Sequence, residues 1–181
     1  DIKTETVFSR MLDNNLGYIQ IKAFEERTAS EFREHLTKLK KNNIKGLVLD
    51  LRSNPGGLVD QVTSVADQIL PEALIVYSSN RIGEKQYAKS DNKESLKIPI
   101  VMLVNEGSAS ASEILSGALQ DNKKATILGV NTFGKGVIQS ILEMDKGGLV
   151  ITTAQYFTPN GNVVDKKGIK PDIKVEYKKT G

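Results

Sequence analysis

The chain has no cysteine, no tryptophan, a single histidine and only five prolines in 181 residues. Without thiols, disulfides, thiolate catalysis and cysteine-based zinc sites are excluded at once. No stretch approaches the roughly 18 consecutive apolar residues of a membrane span, and no charged-then-apolar signal peptide opens the chain. An excess of one charge is also missing: the net charge is +3 and the lysines are scattered. Nothing therefore points to nucleic acid, and the Lys178-Lys179 pair reads as a solvated tail. The lone histidine, His35, is the only one a Ser-His-Asp triad could use. It precedes Leu36 on a predicted helix, at the edge of the apolar face, which makes it a surface or boundary residue. Any hydrolase chemistry here is expected to work without it.

What is present is an ordinary globular composition, 39% hydrophobic and 26% charged, with the length of one domain over residues 1–181. Residues 1–16 are expected to lead into the fold, and Gly17 to Ile21 reads as the first clear strand. Thr28-Ala29-Ser30-Glu31 has the form of a capping box, with Phe32, Leu36 and Leu39 marking the buried face of a helix to about Lys41. Gly46 to Leu51 is nearly all apolar, the composition of a strand covered on both faces. Strand, helix, strand in about forty residues is a crossover unit and predicts an α/β fold. Leu58, Val62, Val65, Ala66, Ile69 and Leu70 then recur at helical spacing up to Pro71.

Ala73 to Ser78 reads as a strand and Asn80 to Lys97 as a polar surface hairpin or loop with Tyr87 as its apolar anchor. Ile98 to Val104 is a buried strand, and Ala111, Ile114, Leu115, Ala118 and Leu119 mark a second amphipathic helix. A short strand follows at Ala125 to Gly129. Gly136 to Leu142 is β-like and pairs, through an Asp145-Lys146-Gly147-Gly148 turn, with Leu149 to Phe157. Residues 158–181 read as turns around short extended pieces. No internal repeat is present.

Three features carry chemistry. Ser110 stands where a strand turns into a helix, beside N–H groups without intrahelical partners and at the positive end of the dipole. With Glu113 three residues on, it forms a capping box, and capping alone accounts for both residues. The alternative is a nucleophile whose neighbouring amides stabilise an oxyanion. Asn54-Pro55-Gly56-Gly57 is a turn by composition, but its glycines also allow bare backbone to approach a ligand.

The third feature is Lys135, between Gly134 and Gly136. A lysine with its reference pKa of about 10.4 is neutral in only about one molecule per few thousand at pH 7. As a base it requires a desolvated setting, and burial against Phe133 and Val137 is the expected source, since burial penalises the charged form. Alternation along a strand beginning at Gly136 would put Gln139 on the same side as Lys135. The bland alternative is a surface lysine in a glycine-rich turn. A phosphate-binding loop at Gly129 to Lys135 is excluded, because position 136 is glycine where serine or threonine is needed and no helix follows.

Four motifs then stand in order: Leu49-Asp50-Leu51-Arg52-x-Asn54-Pro55-Gly56-Gly57; Gly107-Ser108-Ala109-Ser110-Ala111-Ser112-Glu113; Thr132-Phe133-Gly134-Lys135-Gly136-x-x-Gln139; and Thr158-Pro159-x-Gly161 with Gly168-Ile169-x-Pro171-Asp172. Together they resemble the tail-specific, or C-terminal processing, peptidases of serine peptidase family S41. That resemblance implies a ClpP/crotonase-like core of stacked β-β-α units, with a mixed sheet and flanking helices. It implies a serine endopeptidase with a Ser-Lys dyad that cleaves polypeptides near their C-terminal tails through an acyl-enzyme. Ser110 would be nucleophile, Lys135 base and Gln139 the third member. The oxyanion donors would be the amide of Ala111 and a glycine amide of Gly56-Gly57, with Gly56 the first choice.

The family resemblance implies no cofactor and no metal, an extracytoplasmic compartment, and compatibility with an oligomer. The PDZ domain that usually captures the substrate tail is not evident, so a catalytic core without it is expected. Two other readings stay open: a non-catalytic peptide- or ligand-binding module on the same fold, and an acyl-CoA enzyme of the same architecture.

Overall fold

The structure is a computed structural model that describes residues 5–91, 95–144 and 147–176. The Asp145-Lys146 part of the expected hairpin turn, the Lys178-Lys179 tail and residues 92–94 of the polar loop lie outside them. In chain order the elements are β1 (Val7–Leu12), β2 (Leu16–Ile21), α1 (Thr28–Lys41), β3 (Gly46–Asp50), α2 (Val59–Asp67), β4 (Ala73–Asn80) and β5 (Lys85–Ser90). There follow β6 (Ile100–Val104), α3 (Ala111–Asp121), β7 (Thr126–Gly129), β8 (Val137–Met144), β9 (Gly147–Phe157) and β10 (Ile173–Lys174).

Two sheets result. The larger has the order β1-β2-β3-β6-β7-β10 and is mixed: β1 runs antiparallel to β2, and every later neighbour is parallel. The smaller, β5-β4-β9-β8, is antiparallel throughout. Apolar spacing explains the layers. Phe32, Leu36 and Leu39 of α1 and Val62, Val65 and Ala66 of α2 are buried in one core with Ile19, Ile21, Leu47, Leu49, Met102 and Ile127 of the large sheet. The α/β fold with a mixed sheet and flanking helices is as expected.

Helix α3 is different in kind. It packs against α2, β4 and β7, and every residue from Ala111 to Leu119 is buried. A helix covered all round is a central element. Its polar residues Ser112, Glu113 and Ser116 must therefore find partners inside the protein.

The structure corrects several local expectations. Val7 is only 1% exposed and β1 pairs with β2 along its length, so the large sheet begins inside the supposed leading segment. Thr28 is not a helix cap: the cap is Arg27. The Thr28 hydroxyl accepts the Glu25 N–H and donates to the Ala23 carbonyl, while Glu31 accepts the amides of Thr6 and Val7 at the start of β1. The carboxylate finds better donors at a strand end than at its own helix start. Double cover of β3 is also incomplete, since Val48 is half-buried, as are Val101 and Leu103 of β6. His35 is half-buried and bonded to Ser9 at 2.6 Å, the boundary position expected of it.

Candidate active site

The parallel strands β3 and β6 end side by side, and their following loops are laced together. Asn105 Oδ1 accepts the amides of Ser53 (2.7 Å) and Gly107 (3.0 Å). The Ser108 hydroxyl donates to the Leu51 carbonyl at 2.8 Å. The Asn54 carbonyl accepts the Ala109 amide and the Ser112 hydroxyl, each at 3.0 Å. Asn54 itself is fully buried; its side chain donates to the Ile21 carbonyl (2.8 Å) and accepts the Gly56 N–H (2.9 Å). The turn between β6 and α3 is thus anchored on the Asn-Pro-Gly-Gly loop.

That anchoring holds Ser110 in a backbone conformation closed to most L-residues, φ 55° and ψ −114°. Such a conformation costs on the order of 1–3 kcal/mol and persists only where surrounding contacts impose it. Ser110 is half-exposed, at the N-terminus of α3. The expected capping box is present, with the Ser110 N–H on Glu113 Oε2 at 2.9 Å. Gly56 lies directly against the serine.

The oxyanion assignment changes in one respect. The Gly56 N–H is taken up by Asn54 Oδ1, because the buried amide side chain closes a tight turn across Pro55. The Gly57 N–H, by contrast, has no acceptor among the described residues. Ala111 is the first residue of α3, so its N–H is one of those a helix start leaves unpaired. The unengaged donors of the predicted set are therefore Gly57 and Ala111.

The loop before β8 is docked onto the serine turn. The Phe133 amide donates to the Ser108 carbonyl at 3.0 Å. Thr132 Oγ1 and the Gly134 amide donate to Glu113 Oε1 at 2.5 and 2.7 Å, and the Lys135 amide donates to Glu113 Oε2 at 2.8 Å. On its other side the loop meets residues 165–169. The Ile169 N–H bonds Thr132 Oγ1 and the Lys166 N–H bonds the Gly134 carbonyl. A Cβ on Gly136 would stand 2.2 Å from the Asp165 nitrogen, so only glycine fits there.

The backbone of Lys135 therefore lies beside Ser110, while its side chain is exposed, as are Phe133 and Gln139. The expected burial of the amine against Phe133 is not found: Phe133 is 67% exposed, because residues 133–135 dock through their backbone amides and leave the Phe133 and Lys135 side chains outside. No hydrogen bond joins Lys135 to Ser110 or Gln139 among the described residues. Strand β8 begins at Val137, one residue later than expected.

Asn54 and Thr132 stood in the sequence only as members of the Asn-Pro-Gly-Gly and Thr-Phe-Gly-Lys-Gly motifs, with no role of their own, and Glu113 only through the serine-to-glutamate spacing of a capping box. Beside the site, Arg52 clasps Asp50 at 2.6 Å and the Tyr18 hydroxyl donates to the same carboxylate. Burial would raise the Asp50 carboxyl, but the Arg52 and Tyr18 hydrogen bonds outweigh it and hold it below the usual carboxylate range.

A strained serine at a strand-to-helix turn thus stands beside free amides and a docked lysine loop. The sequence model of peptidase family S41 matches residues 15–175, and the chain belongs to that family. It is 41% identical over 177 residues to the carboxy-terminal processing protease CtpA of Bacillus subtilis, covering 97% of this chain and 38% of that one. It is 44% identical over 163 residues to the carboxyl-terminal-processing protease of Synechocystis, covering 90% and 38%.

The fold superposes on the photosystem II D1 C-terminal processing protease with a TM-score of 0.89 at 33% identity, covering 97% of this chain and 49% of that one. A lipoprotein from Streptococcus agalactiae shares the fold alone, with a TM-score of 0.76 at 21% identity over 95% and 66% of the two chains. The chain thus spans less than half the length of the curated relatives it matches. Among the described residues, no helix is long and apolar enough to cross a membrane.

Proposed function

We propose that this chain is the catalytic core of a serine endopeptidase that cleaves polypeptides near their C-terminal tails through an acyl-enzyme. The strained Ser110 carries this reading, standing with the N–H groups of Gly57 and Ala111 unengaged. Neutral Lys135 takes the proton of the Ser110 hydroxyl as Oγ attacks the scissile carbonyl. The amides of Ala111 and Gly57 receive the developing oxyanion. Lys135 then returns the proton to the leaving amine, and water hydrolyses the ester. Gln139 would orient the amine.

The lysine side chain must swing inward for this. Its backbone is already pinned beside Ser110, so rotation about its own side-chain bonds is the movement required. The relatives' names support the substrate class and family resemblance supports an extracytoplasmic setting.

The test is cleavage of an unstructured peptide by the wild type and by Ser110→Ala and Lys135→Ala, with folding checked by circular dichroism. Both variants should lose cleavage and keep the fold. Persistent proteolysis in Lys135→Ala would remove the base assignment. The exposed Lys135 amine favours one competing reading, a non-catalytic binding module. A fluorophosphonate probe separates the two: covalent labelling at Ser110 belongs to the enzyme, and peptide binding without labelling or cleavage belongs to the module.

A further inference from the structure

A buried polar side chain is tolerated when its hydrogen-bonding capacity is filled, and Glu113 fills its capacity unusually. It is fully buried at the third position of α3. One oxygen accepts the Ser110 N–H (2.9 Å) and the Lys135 N–H (2.8 Å). The other accepts the Thr132 hydroxyl (2.5 Å) and the Gly134 N–H (2.7 Å). All four partners are donors, as an acceptor-only carboxylate requires. Simple capping would use only one of them. The other three come from the base-bearing loop, 19 to 22 residues away in sequence.

We infer that Glu113 is a positioning residue that sets nucleophile and base in register, by holding the Ser110 and Lys135 amides on a single oxygen. This deepens the Ser-Lys reading and rests on it. Ser110 needs an imposed backbone conformation, and the Glu113 bond to its amide is one of the contacts imposing it. The same oxygen fixes where the Lys135 stem starts, so a shift of either turn is felt by the other. A proton transfer that depends on hydrogen-bond reach is sensitive to such shifts. Substrate binding, which involves other surfaces, is not. The signature is a loss in kcat with KM preserved.

Glu113→Gln, made in the whole protein, is the decisive variant. It is nearly isosteric, but one oxygen becomes an NH2 group facing two donors, so one pair must open. Cleavage kinetics should show kcat lowered at least tenfold with KM within about threefold. Hydrogen exchange by NMR should show the Ser110 and Lys135 amides losing protection together while amides of β3 and α1 keep theirs. Unchanged kcat in an active protein overturns the inference. So does exchange that rises at one amide only, or rises everywhere in step with a lowered Tm.

If Glu113→Gln does not fold, Thr132→Val removes one of the four donors to Glu113, together with the acceptor of the Ile169 N–H, and the same pattern at the Ser110 and Lys135 amides is expected at smaller amplitude. Its absence there is equally fatal. Failure of the peptidase reading looks different: a wild type that neither cleaves nor takes a fluorophosphonate, with the paired exchange response still readable.

Discussion

Gly56 lies so close to Ser110 that a Cβ on the glycine would stand 2.8 Å from the serine Cβ and 2.7 Å from the Ala109 carbonyl oxygen. Carbon atoms pack best at about 3.5–4.0 Å, and Gly56 has φ +104°, where a side chain is strained in any case. Gly56→Ala should therefore push the serine turn away from the loop that anchors it. A loss of about 1–3 kcal/mol in stability and at least a tenfold fall in kcat/KM are expected. Wild-type kinetics in this variant would show that the contact does not shape the site.

The strain at Ser110 makes a prediction of its own. Alanine at this position keeps the penalty, on the order of 1–3 kcal/mol, whereas glycine is released from it. Glycine gives back roughly 0.5–1 kcal/mol through the entropy of the unfolded chain. Ser110→Gly should thus be more stable than Ser110→Ala by about 1 kcal/mol in urea unfolding, though both lack the nucleophile. An alanine variant as stable as the glycine one would mean the turn costs nothing.

The strands and helices were legible because burial imposes periodicity. Leu47, Leu49, Met102 and Val104 face a core, and Phe32, Leu36 and Leu39 return to it every three or four residues. The residue types proposed for the site were readable in the sequence, and the turns that carry Ser110, Gly57 and Lys135 meet at one end of the large sheet. The wiring between them was not readable. Ser112 bonds the Asn54 carbonyl across 58 positions of sequence, and no local pattern encodes that meeting. The glycines around Lys135 told where the backbone bends, but not which way a four-carbon stem would lie, so its exposure came only from the structure. Nor did any local pattern show that the Gly56 N–H, first choice as an oxyanion donor, is taken up by the Asn54 side chain.

Asn54 should matter more than a turn residue usually does. Alanine in its place would strand the buried Ile21 carbonyl and free the Gly56 N–H. An unsatisfied buried group costs about 1–3 kcal/mol, so Asn54→Ala is expected to lose roughly 2–4 kcal/mol in chemical unfolding. Its cleavage rate should fall as well, because the Asn54 backbone anchors both Ala109 and Ser112. A change under half a kilocalorie per mole (about 0.5) would show that water fills in for the side chain.

The Arg52–Asp50 pair yields a test in pH. Asp50 is fully buried and Arg52 about half exposed, with side-chain values of 0% and 48%. Burial acts to raise the Asp50 carboxyl, yet Arg52 and Tyr18 bring it below its ordinary value. A folded pKa below the unfolded one, near 3.9, means stability that is present above that value and fades as pH falls through the folded one. In Arg52→Met the counter-charge is gone, burial dominates and the folded pKa rises. The sign then reverses: the variant gains stability as pH falls from neutrality toward 4, where the carboxyl takes a proton and sheds its buried charge. Removing one partner of a fully buried pair costs about 3–5 kcal/mol. With Arg52 half in water, about 2–3 kcal/mol at pH 7 is the expected deficit. Urea midpoints at pH 7, 5.5 and 4 should show the gap between wild type and variant closing steadily. A gap that stays constant across that range would mean the arginine contributes through packing of its stem, and that the Asp50 charge is held by Tyr18 and by the backbone N–H of residue 52.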